Sequence, residues 1–281
     1  MDDSVKRLEK KAFEIRKRIL EVCIKAGTGH LTSSYSCVDV LVALYFGGVL
    51  CHDPKNPQWE ERDRFILSKG QASPALYTVL ADAGYFDPRD LDRFAQAQGR
   101  FGVHLQNSVP GVEITAGSLG QGFGIAAGMA LAAKKDRALH FAFALLGDGE
   151  CYEGSVWETA MFAAHNNLNN LVAIVDRNFL CATDFTEDML ALEPMEEKWR
   201  SFGWNAVRID GHSIPQILEA LKDVKTRPSS RPLVVVADTV KGEGLPFCCN
   251  RPLWHAVAPQ GDDAQRARCA LAELARRRNY D

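Results

Sequence analysis

From Arg64 onward the chain alternates short unbroken apolar runs with stretches of helical periodicity: "RFILSK", "GQGFGIAAGMALAAKK", "HFAFALLG", "VWETAMFAAHNNL", "LVAIVD", "MEEKWRSFG", "WNAVRID", "SIPQILEALKDV" and "PLVVVAD". Runs rich in Val, Ile and Leu with no polar alternation belong to strands covered on both faces, and such strands are parallel ones joined by crossover helices. The expected fold class is therefore α/β: a doubly wound parallel sheet of about five strands with helices on both faces.

Upstream, Val5, Leu8, Ala12, Ile15, Ile19 and Val22 recur at spacings of three and four, which draws one apolar stripe along a helix ending near "AGTGH". A second helical run, "CVDVLVALYF", gives way to the Pro- and charge-rich "CHDPKNPQWEERDR". The reading is one domain over residues 1–281 with a helical segment over about 1–50. Ser213 is placed as an N-cap with Pro215 in the first turn after it, and "DDAQRARCALAELARRRNYD" as a final amphipathic helix with solvated arginines.

A formal net charge of -3 leaves no strong field to attract nucleic acid or an anionic membrane. The longest apolar runs, such as "HFAFALL" and "LVVVA", fall far short of the ~20 residues of a membrane helix. The N-terminus "MDDSVKRLEKKAFEIRKR" is charged and lacks a signal core, so a cytoplasmic location with reduced thiols is expected. The eight cysteines form no C-x-x-C pair and no zinc-type spacing. Most of them are read as buried small hydrophobes, the adjacent Cys248 and Cys249 included.

In an open parallel sheet the ligand site lies beyond the carboxyl ends of the strands. The residues there are Ser68-Lys69-Gly70-Gln71, Gly147-Asp148-Gly149-Glu150, Asp176-Arg177-Asn178, Asp210-Gly211-His212 and Thr239-Val240-Lys241-Gly242. Gly147 and Gly149 let backbone pass close to a ligand, and a helix starting near Gly154 offers free N–H groups to a phosphate. Asp148 is then the misfit. A carboxylate aimed at a phosphate needs a cation between them, which points to a hard, oxygen-ligated ion of the magnesium type, with Asn178 adding an amide oxygen. On its own "GDG" reads equally as a strand-to-helix turn, because Asp and Gly are common turn residues. The distance from Asp148 to Asn178, one helix-plus-strand unit with each residue following an apolar run, favours the cation.

These residues resemble a known pattern, the thiamine diphosphate motif: G-D-G, then about thirty residues to an Asn after an apolar strand. More specifically, "GDGECYEGSVWETAMFAAHNNLNNLVAIVDRN", "SKGQASPALYTVLA", "GVEITAGSLGQGFGIAAGMALAAK" and "LWHAVAP" are similar, in collinear order from about Gly29 to Pro259, to the transketolase family. The resemblance covers the half of a full-length transketolase that holds the cofactor's diphosphate. It implies an N-terminal subunit completed by a C-terminal transketolase subunit, which carries the pyrimidine-binding domain and the activating glutamate, in an α2β2 assembly. The implied cofactors are thiamine diphosphate and Mg2+ (or Ca2+). The implied reaction moves a two-carbon ketol unit from a ketose to an aldose.

Position by position, the resemblance makes Asp148, Asn178 and the backbone carbonyl of Leu180 the metal ligands. It sets the N–H of Gly149 on the diphosphate beside Gly147, and the backbone of Gly117 and Leu119 on the aminopyrimidine. Glu153 and Glu158 match acidic residues linking two active sites across a subunit interface, and Asp176 falls near the thiazolium. His30, His104 and His255 match histidines that surround the reacting carbon, where imidazoles relay protons. Read alone, each is a loop histidine of the kind more often solvated or capping. His165 is read as a core residue on an apolar helix face, and His52 and His140 carry no signal.

The chain departs from the family at Gln71, where a histidine usually meets the cofactor's phosphate end. Glutamine donates a hydrogen bond but carries no charge. "ATDFTED" also replaces the common Asp-Gly turn after Asn178. Alternatives are a subunit of a 2-oxoacid dehydrogenase or a 1-deoxyxylulose-5-phosphate synthase, which share cofactor and metal motif, and a non-catalytic binding or regulatory relative.

Overall fold

The computed structural model describes residues 3–280. In chain order the elements are α1 (Asp3–Ala26), α2 (Leu31–Ser36), α3 (Val38–Phe46), β1 (Arg64–Leu67), α4 (Ser73–Ala83), α5 (Gln121–Asp136), β2 (Ala142–Gly147), α6 (Gly154–His165), β3 (Leu171–Arg177), α7 (Thr186–Met189), α8 (Met195–Ser201), β4 (Asn205–Asp210), α9 (Ile214–Leu221), β5 (Leu233–Asp238) and α10 (Gly261–Arg278). The five strands form one parallel sheet in the order β1-β2-β3-β5-β4, as the apolar runs predict.

The strands look uniformly apolar in sequence, yet alternate between two cores. In β2, Phe143 and Leu145 point to a core built with α1, α3, α4, α9 and α10, while Ala142, Ala144 and Leu146 point to one built with α5, α6 and α8. Handedness explains which helix lies where. The chain moves one way along the sheet from β1 to β3 and on to β4, skipping a place, with α5, α6 and α8 on one face. It then turns back to fill the gap with β5, and a right-handed connection puts α9 on the other face. In the ladders Gly147 pairs with Asp176, and Arg177 and Asp210 both with Asp238, so the strands end level and their carboxyl ends share one edge.

The stripe on α1 faces inward through Leu8, Ala12, Ile15, Ile19 and Val22. The structure adds α2 and α4. Every residue of α2 is buried and α4 is buried through Ala81, so neither shows an amphipathic period. Among the described residues no helix is long and apolar enough to cross a membrane.

Three expectations are corrected. His165 is exposed, because α6 meets the sheet through Val156, Ala160 and Ala163 and its last residue points away. Ser213 does occupy the N-cap position of α9, with Pro215 in the first turn, but its hydroxyl makes no capping bond. Of the cysteines, only Cys23, Cys37, Cys151 and Cys248 are buried, while Cys51 and Cys269 are exposed. Within the adjacent pair, burial pushes the Cys248 thiol up to about 12, which fits a filler.

Candidate active site

A cavity of about 280 Å³ lies at the carboxyl edge of the sheet. Its walls come from the ends of β1 (Lys69, Gln71), β2 (Gly147 to Glu150), β3 (Asn178 and Leu180 to Ala182) and β5 (Lys241), closed by Ser33, Leu119 and His255. The end of β4 does not contribute. His212 turns instead to Asp39, Nδ1 to Oδ2 at 2.7 Å, and its Nε2 accepts the Val240 N–H at 2.8 Å.

The "GDG" stretch takes the following form. Asp148 is buried, its Oδ1 accepts the Gly149 N–H at 2.8 Å, and its Oδ2 accepts Arg177 Nη1 at 3.0 Å and the Phe179 N–H at 2.6 Å. Burial, with Asp176 nearby, raises its pKa to about 6. Residues 149–152 form a 3-10 turn before α6 begins at Gly154. That turn, rather than the first turn of α6, meets the cavity, which corrects the expected phosphate site near Gly154. After Asn178 the chain passes through Phe179 at φ 63°, a left-handed conformation held by the bond to Asp148 and by the Arg177 guanidinium 4.0 Å over the Phe179 ring. Beyond this turn the carbonyls of Leu180 and Cys181 accept the Lys241 ammonium at 3.4 and 2.9 Å.

The residues present fit the expected groups. Asp148, Asn178 and Leu180 all line the cavity and carry between them carboxylate, amide and carbonyl oxygens, a hard donor set suited to a magnesium-type ion. The Lys241 ammonium already lies against two of the carbonyls there, so the place attracts cations. Facing an anion, the cavity offers Lys241 itself, 2% exposed and lowered to about 8 by burial.

Among the other expected site residues, Gln71 and Leu119 line the cavity, and Gln71 donates through Nε2 to the Gly117 carbonyl at 3.3 Å. Gly117 is thus one bond behind the wall. Asp176 lies beneath the floor, fully buried, taking hydrogen bonds from Ser36 at 2.6 Å, from Thr239 and from Lys69. Burial alone would raise Asp176, but the Lys69 ammonium and these donors lower it. Glu153 and Glu158 are exposed, on the turn before α6 and on α6, outside the cavity. His30 lies between His104 and His255, with ring centroids 5.6 and 5.3 Å apart. Burial, with neighbouring imidazoles and Lys241, lowers His30 to about 4 and His255 to about 3, so both are neutral near pH 7. Lys241 Nζ lies 2.9 Å from His255 Nδ1 and joins this cluster to the cavity.

The strand ends bring Lys69 and Lys241 into view in the sequence without giving them a role. Arg177 and Glu150 stand in the same strand-end runs, equally without a role, since no local pattern joins them to the Asp148, Ser68 and Gly120 groups that they bond. Arg177 is fully buried and bonds Asp148, Glu187 and Glu193.

Comparison with known proteins agrees with this geometry. The family model "Transketolase, thiamine diphosphate binding domain" matches residues 9–273. The chain is 42% identical over 241 residues to the 6-deoxy-6-sulfo-D-fructose transketolase subunit SqwG of Clostridium sp. (strain MSTE9), covering 85% of this chain and 87% of that protein. It is 38% identical over 273 residues to an apulose-4-phosphate transketolase subunit of Actinobacillus succinogenes, covering 96% and 97%. Among solved structures, the transketolase of Campylobacter jejuni superposes with a TM-score of 0.88 at 30% identity, over 97% of this chain but only 43% of that one. All of these are named transketolases or transketolase subunits, which favours that reading over the dehydrogenase, synthase and non-catalytic alternatives. The chain belongs to the transketolase family and corresponds to its thiamine diphosphate-binding domain.

Proposed function

We propose that the whole chain is one diphosphate-binding domain and serves as the N-terminal subunit of a two-chain transketolase. It would transfer a two-carbon ketol unit from a ketose to an aldose in an α2β2 complex with a C-terminal subunit. The observation that carries this reading is the convergence of Asp148, Asn178, the Leu180 carbonyl and Lys241 on one cavity at the carboxyl ends of the strands. Its similarity to named transketolase subunits over nearly their whole length supports the two-chain form. The free cysteines suit a reducing compartment, the cytoplasm.

Thiamine diphosphate, when bound, supplies an electron sink for breaking the carbon–carbon bond beside a ketose carbonyl. The chain's own residues bind, orient and move protons. Asp148, Asn178 and the Leu180 carbonyl hold Mg2+ (or Ca2+), while the Gly149 N–H and Lys241 meet the diphosphate. Gln71 adds a neutral contact at that end. The backbone of Gly117 and Leu119 would support the aminopyrimidine, and Asp176, which holds the Lys69 ammonium, would stand near the thiazolium. Glu153 and Glu158 face the neighbouring subunit. His30, His104 and His255 hold sugar hydroxyls, and an imidazole that is neutral at pH 7 can take up a proton and return it.

Native mass spectrometry of the full chain, purified gently from its source, tests this. The expected spectrum shows a complex with a second chain and the added mass of thiamine diphosphate plus a divalent ion. A lone chain without cofactor would overturn the proposal.

A further inference from the structure

Glu150, the residue after "GDG", is 1% exposed and stands in the cavity wall with its carboxylate turned to the surrounding backbone. Its carboxylate reaches three separate segments. Oε2 accepts the Gly147 N–H at 3.0 Å, and Oε1 accepts the Gly120 N–H at 2.9 Å and the Ser68 hydroxyl. Gly147 ends β2, Ser68 ends β1 next to Lys69, and Gly120 follows Leu119 at the entry to α5. Each segment supplies a different wall of the cavity: Gly147 with Asp148, Lys69 with Gln71, and Leu119.

We propose that Glu150 is a positioning residue that locks these three walls into one geometry and so sets the affinity of the cavity for its cofactor. The inference rests on the thiamine diphosphate reading of the site for its ligand, but on hydrogen-bond geometry alone for its mechanism. Backbone N–H groups donate only, so two of the three partners demand an acceptor on different oxygens of the same side chain. The Gly120 segment is constrained in addition by shape. Its φ is 77°, and a Cβ there would lie 2.3 Å from Ser155 Oγ, so the turn has one way to pass. A carboxylate is the one side chain of this size that accepts on both ends.

Glutamine has the same shape but donates on one end. In E150Q the amide NH2 must face the N–H of either Gly147 or Gly120, and one wall loses its tether. Asp63 provides a control of the same kind at the opposite end of the sheet, where its carboxylate accepts the Cys51 N–H at 2.7 Å and the Phe141 N–H at 2.9 Å. The experiment compares wild type, E150Q, S68A and D63N as full chains in the purified complex. Two quantities are read: amide hydrogen exchange, and affinity for thiamine diphosphate with Mg2+ by titration calorimetry.

In E150Q faster exchange is expected at Gly120 or Gly147, with affinity weakened about tenfold, the cost of one buried unpaired donor. S68A, which removes the hydroxyl and keeps both backbone bonds, weakens affinity by a smaller factor and serves if E150Q fails to fold. D63N leaves exchange at the cavity walls and affinity as in wild type, even where it lowers the melting temperature. Unchanged exchange and affinity in E150Q or in S68A, or a loss in D63N equal to that in E150Q, would overturn the inference. A wild-type complex that binds no thiamine diphosphate would instead bring down the cofactor reading, and the exchange data would still decide on Glu150.

Discussion

At the scale of single residues, the site combines groups that sequence displays with groups that it conceals. Asp148 and Asn178 are legible because one helix-plus-strand unit separates them and each ends an apolar run. Lys69 is legible only as a strand end. Its partner Asp176 is 107 positions away, and no local pattern joins them. Lys241 invites a direct test. It is 2% exposed, and burial makes its charge costly in the ligand-free protein. Lys241→Met is expected to leave the melting temperature equal or higher, while weakening the binding of thiamine diphosphate with Mg2+ by about tenfold or more, as the loss of a charge-assisted contact requires. Melting and calorimetry on the same preparation check both halves; a parallel fall in both would mark Lys241 as merely structural.

Asp39 gives a pH prediction at the same scale. Its buried carboxylate pairs with Arg16 Nη1 at 3.1 Å and with His212 Nδ1 at 2.7 Å. Burial alone would raise its pKa, but Arg16 and His212 hold it at about 2, against 3.8 for a free Asp. A depressed folded-state pKa means that the stabilisation is complete above 3.8 and is lost as pH falls toward 2. The shift corresponds to about 2 kcal/mol. Wild type should therefore show a steep acid limb in urea unfolding over that window. Asp39→Asn, less stable at pH 7, should show a shallower one.

Among the elements, the strands are legible because apolar runs bounded by polar strand ends carry their own boundaries. The fully buried helices are not, since "SPALYTVLADA" of α4 gives burial without a period. Packing between elements is also hidden. Trp199 and Trp204 lie with ring centroids 5.0 Å apart, and each packs on Phe123 of α5 at 5.8 Å. Trp204 Nε1 also donates to the Ala160 carbonyl of α6 at 2.9 Å. This cluster fixes α5, α6 and α8 to the sheet, which aligns the turn after Gly147 with the turn before α5. Trp204→Ala is expected to cost about 3–5 kcal/mol, the range for a large aromatic removed from a packed core. Urea unfolding should show a lower midpoint with an unchanged slope; a cost below about 1 kcal/mol would mean that the helices are held elsewhere.

For the molecule as a whole, sequence predicts five parallel strands but not their order. The place of β4 outside β5 depends on which face each crossover helix takes, and this is settled by the two cores together. That order explains why β4 is the one strand whose end misses the cavity, with His212 drawn off to Asp39. The same scale decides assembly. The superposition on a solved transketolase takes in 97% of this chain but 43% of that one, and the cavity offers ligands for a metal and diphosphate with the histidine cluster beside it. A catalyst built on it would need the part of the fold missing from this superposition, which the proposed function assigns to a partner subunit. Ketol transfer from a ketose to an aldose should appear only when both chains are mixed, and pyruvate decarboxylation should stay at background. Light scattering of the active mixture should give the mass of two copies of each. Full activity from a stable lone monomer would contradict the two-chain reading, because a site formed between subunits is lost when they separate.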